Sequence, residues 1–146
     1  MMFVHQAGVA FLLVVLTLWL QCAGIAVLIG WIRSVAAGDS YNLGSLRSAA
    51  LVVRMSAAVI ALHGGMILLW ASCYRWLCLP SWESAFYFSA SSYATVGYGD
   101  VVLPSNWRML GPLESVIGVL MCGQSVSLLF AMVTWLISRE ERFSHK

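Results

Sequence analysis

Residues 82–100 read WESAFYFSASSYATVGYGD, and this stretch decides the fold. Its first part, Trp82 to Ala94, is aromatic and apolar. At that length it is too short to cross a bilayer but long enough for a helix that enters the membrane and stops. Pro80-Ser81 stands in front, which makes Ser81 an N-cap candidate, and Glu83 falls in the first turn, where the helix dipole favours an anion. The second part, Thr95-Val96-Gly97-Tyr98-Gly99-Asp100, places two glycines at alternate positions. Gly97 and Gly99 allow a left-handed backbone at little steric cost.

Outward from this stretch the chain is apolar in both directions. Hydrophobic residues make up 61% of the 146 and charged residues 10%, against about 25% charged in a soluble domain. A chain this small buries only part of that apolar surface in a water-soluble fold, so lipid is the solvent for the rest. Three stretches have the roughly 20 apolar residues that a spanning helix needs: Val9 to Ile32, Ala49 to Trp76 and Pro112 to Ile137. The first is not read as a cleaved leader, because residues 1–6 carry no Lys or Arg and the apolar run is too long. The expected class is an all-α integral membrane protein with three transmembrane helices, a re-entrant helix and a loop. Its parts are an N-terminal helix and loop (1–48), a core module (49–138) and a short tail (139–146).

Arg33, Arg47 and Arg54 flank the first connection, and Arg139, Arg142 and Lys146 follow the third span. Arg75 and Arg108 lie around the re-entrant segment. Six basic residues against two put the first loop and the C-terminus in the cytoplasm and the N-terminus outside; a plasma (inner) membrane is the location expected. No basic run of the kind that grips nucleic acid is present. Of the four cysteines, Cys73 and Cys78 form the one close pair; they join if they face an oxidising compartment, and otherwise behave as small hydrophobes.

The hexapeptide at 95–100, with a short apolar helix before it and a spanning helix after it, resembles the pore loop of potassium channels. The region from Ala49 to Ile137 is similar to the two-helix pore module of small prokaryotic potassium channels, and the first span lies outside that module. The resemblance implies that K+ is the permeant ion, with no cofactor and no catalytic residue. The main-chain carbonyls of Thr95, Val96, Gly97 and Tyr98, with the Thr95 hydroxyl, would meet the dehydrated ion without a full charge that traps it. The Val96 and Tyr98 side chains would point away and brace the loop. Four copies are needed to enclose an ion, so a homotetramer in lipid is expected. Gly99 and Asp100 would support the filter. Relatives place a Trp where Tyr87 falls and sometimes an acid where Ser91 falls; here the Tyr87 hydroxyl is expected to take over the contact with Asp100. A passive channel is the leading reading, and a pore or accessory subunit of a larger channel or uptake system is the alternative.

In the third span, Gly123 and Gly118 each have two readings, a gating hinge or close helix packing. Gln124 either lines the inner cavity or bonds a neighbouring helix. His63 is either a titrating sensor or a neutral group bonded to another helix. Glu114 is expected at the start of the third span, favouring the helix N-terminus. Trp31, Tyr41, Trp70, Tyr74, Trp76, Trp82 and Trp107 are expected as interface anchors. The segment 38–44 has turn chemistry. The first span, without an arginine ladder, is read as a brace for the pore module.

Overall fold

The computed structural model describes residues 2–38 and 45–144, with side chains over 4–35 and 46–139. The connector expected across 38–44 falls at 39–44 outside the described residues. Among the described residues four helices follow in order: α1 (Met2–Gly38), α2 (Ser45–Leu77), α3 (Trp82–Tyr93) and α4 (Leu110–Ser144). Three of them are long and apolar enough to cross a membrane, over Val4–Val35, Leu46–Leu77 and Leu110–Arg139. Each runs past the expected boundaries. Hydropathy marks the part that sits in hydrocarbon, whereas intrahelical hydrogen bonding carries the helix on through its polar ends.

Helix α1 is sided. Ala10, Leu13, Thr17, Gln21 and Leu28 are buried, at spacings that keep one face of a helix inward. Val4, Phe11, Leu12, Val15, Trp19 and Val27 on the remainder are exposed, as a lipid-facing surface would be. Three apolar clusters stack along the bundle. At one end Ala10 and Leu13 meet Trp70, Tyr74, Ala85 and Leu110. Met66, Tyr93 and Met121 fill the middle. At the other end Leu28 packs with Leu51, Met55, Met132 and Leu136. The stack makes α1 antiparallel to α2. It brings the start of α1 to the end of the bundle that holds the 94–109 loop, where the His5 and Trp107 rings meet edge-on at 5.5 Å.

Two expectations are corrected. Trp70 and Tyr74 are fully buried and not interface anchors, because their polar atoms find partners inside the bundle: Trp70 Nε1 donates to Thr17 Oγ1 at 2.9 Å, and Tyr74 Oη donates to Glu114 Oε2 at 2.7 Å. Trp76 and Trp82 are exposed, as anchors would be. Glu114 is not at the helix start. Helix α4 begins at Leu110, with Pro112 in its first turn, where a missing N–H costs nothing. Glu114 therefore falls a turn later, and it is fully buried. Cys73 and Cys78 are both free thiols.

Candidate functional site

Helix α3 begins as its sequence dictates. Ser81 is extended at the N-cap and its Oγ accepts the Ser84 N–H at 3.1 Å, with Glu83 in the first turn. At the other end, the last carbonyls of a helix lack intrahelical partners. The following segment supplies them. Thr95 N–H donates to the Ser92 carbonyl at 2.9 Å, and Val96 and Gly97 N–H both donate to the Ser91 carbonyl, at 2.9 and 3.2 Å. The segment is thus hung from the end of α3 by its own amides. Ser91 supports it chiefly through the main chain; its hydroxyl stands 3.5 Å from the Tyr98 nitrogen, at the limit of a hydrogen bond.

Along this segment φ is positive at Thr95 (60°), Gly97 (58°) and Gly99 (82°), and negative at Val96 and Tyr98 between them. In an extended strand successive carbonyls point to opposite sides. A change in the sign of φ at every second residue is what a chain needs to turn them toward one side as a row of neutral oxygens. Gly97 and Gly99 were legible as left-handed positions. Thr95 was not, since a β-branched residue with positive φ is a true outlier. Such strain is held only where the surroundings over-determine it, and here the amide bonds to Ser91 and Ser92 do so.

Beside this row, Tyr87 Oη donates to Asp100 Oδ2 at 2.9 Å, the contact expected between the two. The hydrogen bond to Asp100 holds the phenol above its ordinary pKa, so Tyr87 keeps the proton it donates. The Asp100 carboxylate also accepts the Val101 N–H at 3.0 Å. The Tyr98 ring stacks on Tyr87 at 6.2 Å and 15°, yet 71% of Tyr98 and 51% of Val96 remain exposed on the single chain. A cavity of about 720 Å³ opens alongside, lined among others by Thr95, Gly97, Phe88 and Arg108.

Helix α4 passes behind α3. Ser115 Oγ donates to the Ser92 carbonyl at 2.7 Å. A Cβ on Gly118 would collide with the main-chain carbonyl of Tyr93, so Gly118 is taken up by packing. Gly123 has open space around it, and Gln124 beside it is exposed.

Two buried polar clusters join the helices. In one, Gln21 Nε2 of α1 donates to the Met121 carbonyl at 3.2 Å and to Ser125 Oγ at 3.1 Å. Ser125 Oγ lies 3.0 Å from His63 Nε2, and His63 Nδ1 lies 2.8 Å from Tyr93 Oη, which donates to Met66 Sδ at 3.1 Å. Both ring nitrogens of His63 are therefore engaged by other helices, as its structural reading requires. In the other, Tyr74, Ser89 and Glu114 meet. Sequence reasoning missed the second cluster and the part of Gln21 in the first. The signal was there: a polar group placed deep in a span needs a partner.

A family model described as an ion channel matches residues 59–134, just over half of the chain. The chain belongs to the ion channel family. The matched part of this channel runs from within α2, through α3 and the 95–100 segment, to near the end of α4; most of the pore module is inside it and α1 is outside. With three helices able to span, the channel is a multi-pass membrane protein. Neither a curated protein nor a solved structure matches it.

Proposed function

We propose that this channel conducts K+ selectively and passively through a homotetrameric pore whose filter is Thr95 to Tyr98. The observation that carries the reading is the alternation of φ along Thr95-Val96-Gly97-Tyr98-Gly99. It turns a row of carbonyls to one side at the C-terminal end of a short helix, and neutral carbonyl oxygens can replace a hydration shell without trapping the ion. One copy of the row leaves the ion open to solvent on its other sides, so four copies around an axis are required. The exposed Val96 and Tyr98, with the cavity beside Thr95 and Gly97, support that assembly: they are the surfaces a neighbouring copy would cover. Gly99, Asp100, Tyr87 and Ser91 hold the row in place, and Gln124 faces the inner cavity. The membrane in this reading is the plasma membrane, and the distribution of Arg and Lys favours the N-terminus outside and the C-terminus in the cytoplasm.

The test is the reversal potential of the purified protein in a planar bilayer separating K+ from Na+. A value near the K+ equilibrium potential is expected. Gly97→Ala should abolish the current without preventing assembly. Nothing in the chain obstructs the added methyl, but a left-handed alanine costs about 1–2 kcal/mol in each subunit. A current that does not distinguish the two ions would end the reading.

A further inference from the structure

Glu114 lies where α2, α3 and α4 meet, and Glu114 and its neighbour Ser89 are both completely buried. Its carboxyl has two neighbours of known hydrogen-bonding capacity. Tyr74 Oη, 2.7 Å from Oε2, is a donor. Ser89 Oγ, 2.5 Å from Oε1, also stands 2.9 Å from the main-chain carbonyl of Ile67 in α2. A serine hydroxyl has one proton. If Glu114 is ionised, that proton serves either the carboxylate or the Ile67 carbonyl, and the other approach sets two acceptors against each other. If Glu114 carries a proton on Oε1, every contact closes: Oε1–H donates to Ser89, Ser89 donates to Ile67, and Tyr74 donates to Oε2.

The surroundings point the same way. Tyr74 and Cys73 of α2 and Tyr93 of α3 are the titratable groups whose fields reach this site, and phenols and thiols are neutral at physiological pH. An ionised carboxylate met by two neutral hydroxyls in the interior of a membrane protein is poorly compensated.

We propose that Glu114 is a permanently protonated acid that positions the proposed filter. It acts as a neutral donor-acceptor clamp, tying α3 through Ser89 to α4 and to Ile67 and Tyr74 of α2. Ser89 lies six residues before Thr95, so it is a point about 9 Å up the helix from the ion row. Held from two sides, it fixes both the height and the rotation of α3, and with them the end from which the carbonyl row hangs. Glu114 touches no ion; it is a positioning residue. The functional half of the inference rests on the potassium-pore reading, whereas the protonation state does not.

The test combines spectroscopy with single-channel recording on the reconstituted full chain. An infrared difference spectrum between wild type and Glu114→Gln should contain the C=O stretch of a protonated carboxylic acid, unchanged from about pH 5 to pH 7, where ordinary carboxylates are ionised. Glu114→Gln, whose amide donates and accepts as the neutral acid does, should keep the wild-type open time and ion preference. Glu114→Leu leaves Ser89 and Tyr74 unsatisfied and should shorten mean open time by about tenfold or more; if it does not assemble, Ser89→Ala takes its place. A carboxylate signature in the infrared, a Glu114→Gln channel as impaired as Glu114→Leu, or a Glu114→Leu channel like wild type would each overturn the inference. Wild-type current that ignores the difference between K+ and Na+ would instead end the potassium reading, and the infrared and open-time comparisons would still judge Glu114.

Discussion

Tyr87 holds the rim of the proposed filter by two different means. Its hydroxyl donates to Asp100 and its ring lies flat on Tyr98. The two separate cleanly by substitution. Tyr87→Phe keeps the stack and removes the hydrogen bond, leaving the Asp100 carboxylate with the Val101 amide. In the proposed reading ion preference depends on the carbonyl row, so it should stay as in wild type, while mean open time falls by about three- to tenfold, the worth of one hydrogen bond to a charged acceptor. Tyr87→Trp restores a donor through its indole N–H and should recover most of that loss. Single-channel recordings of the three proteins check this, and equal open times would show that the bond does not brace the proposed filter. Asp100 and Tyr87 were legible as a pair because a phenol stands where relatives of similar sequence place a Trp, within reach of the aspartate of the hexapeptide. The left-handed Thr95 was not legible, because its side chain gives no hint of a conformation imposed by Ser91 and Ser92.

In helix α4, Gly118 and Gly123 look alike in sequence and differ in their surroundings. Gly118 lies against the backbone of Tyr93, and a methyl there meets a carbonyl that cannot rotate away. Gly118→Ala must push α4 off α3, at a cost of about 1–3 kcal/mol in each subunit, the usual range for overpacking. The proposed tetramer, purified in detergent, should dissociate at a lower temperature. Gly123 is in open space, and the Ser127 hydroxyl donates back to its carbonyl at 3.0 Å, a bond that loosens and bends helices. Gly123→Ala should leave thermal dissociation unchanged or raise it slightly, since alanine gains up to about 1 kcal/mol in helix propensity. Its effect belongs on opening: a stiffer α4 should lower open probability severalfold, read from steady-state recordings. An unchanged open probability would remove the hinge reading of Gly123.

On the scale of the whole molecule, the number of spans and the place of the short helix were readable from the chain. Both follow from lengths of apolar sequence and from the cap at Ser81, which are local. The way α1 joins the rest was not readable. Hydropathy treats Thr17 and Gln21 as minor interruptions of an apolar run, whereas in the fold they are the points of attachment, to Trp70 and to Met121 and Ser125. Partners a hundred residues apart cannot be matched by periodicity. The same holds for Glu114, whose role depends on Ser89 and Tyr74 arriving from two other helices. If α1 is part of one cooperative unit with the pore module, and not a helix laid on its surface, the attachment must be energetically coupled to what lies beyond it. Ser125 makes this measurable, because its hydroxyl touches both Gln21 of α1 and His63 of α2. Gln21→Leu and His63→Leu should each destabilise the folded protein in detergent by about 1–3 kcal/mol, by leaving buried partners unmet. With both replaced, Ser125 loses both side-chain neighbours at once, so the double variant should fall short of the sum by about 0.5 kcal/mol or more. Strict additivity would mean that α1 and the His63–Tyr93 pair are independent, and that the chain of hydrogen bonds through Ser125 transmits nothing from α1 to α3, from which the proposed filter hangs.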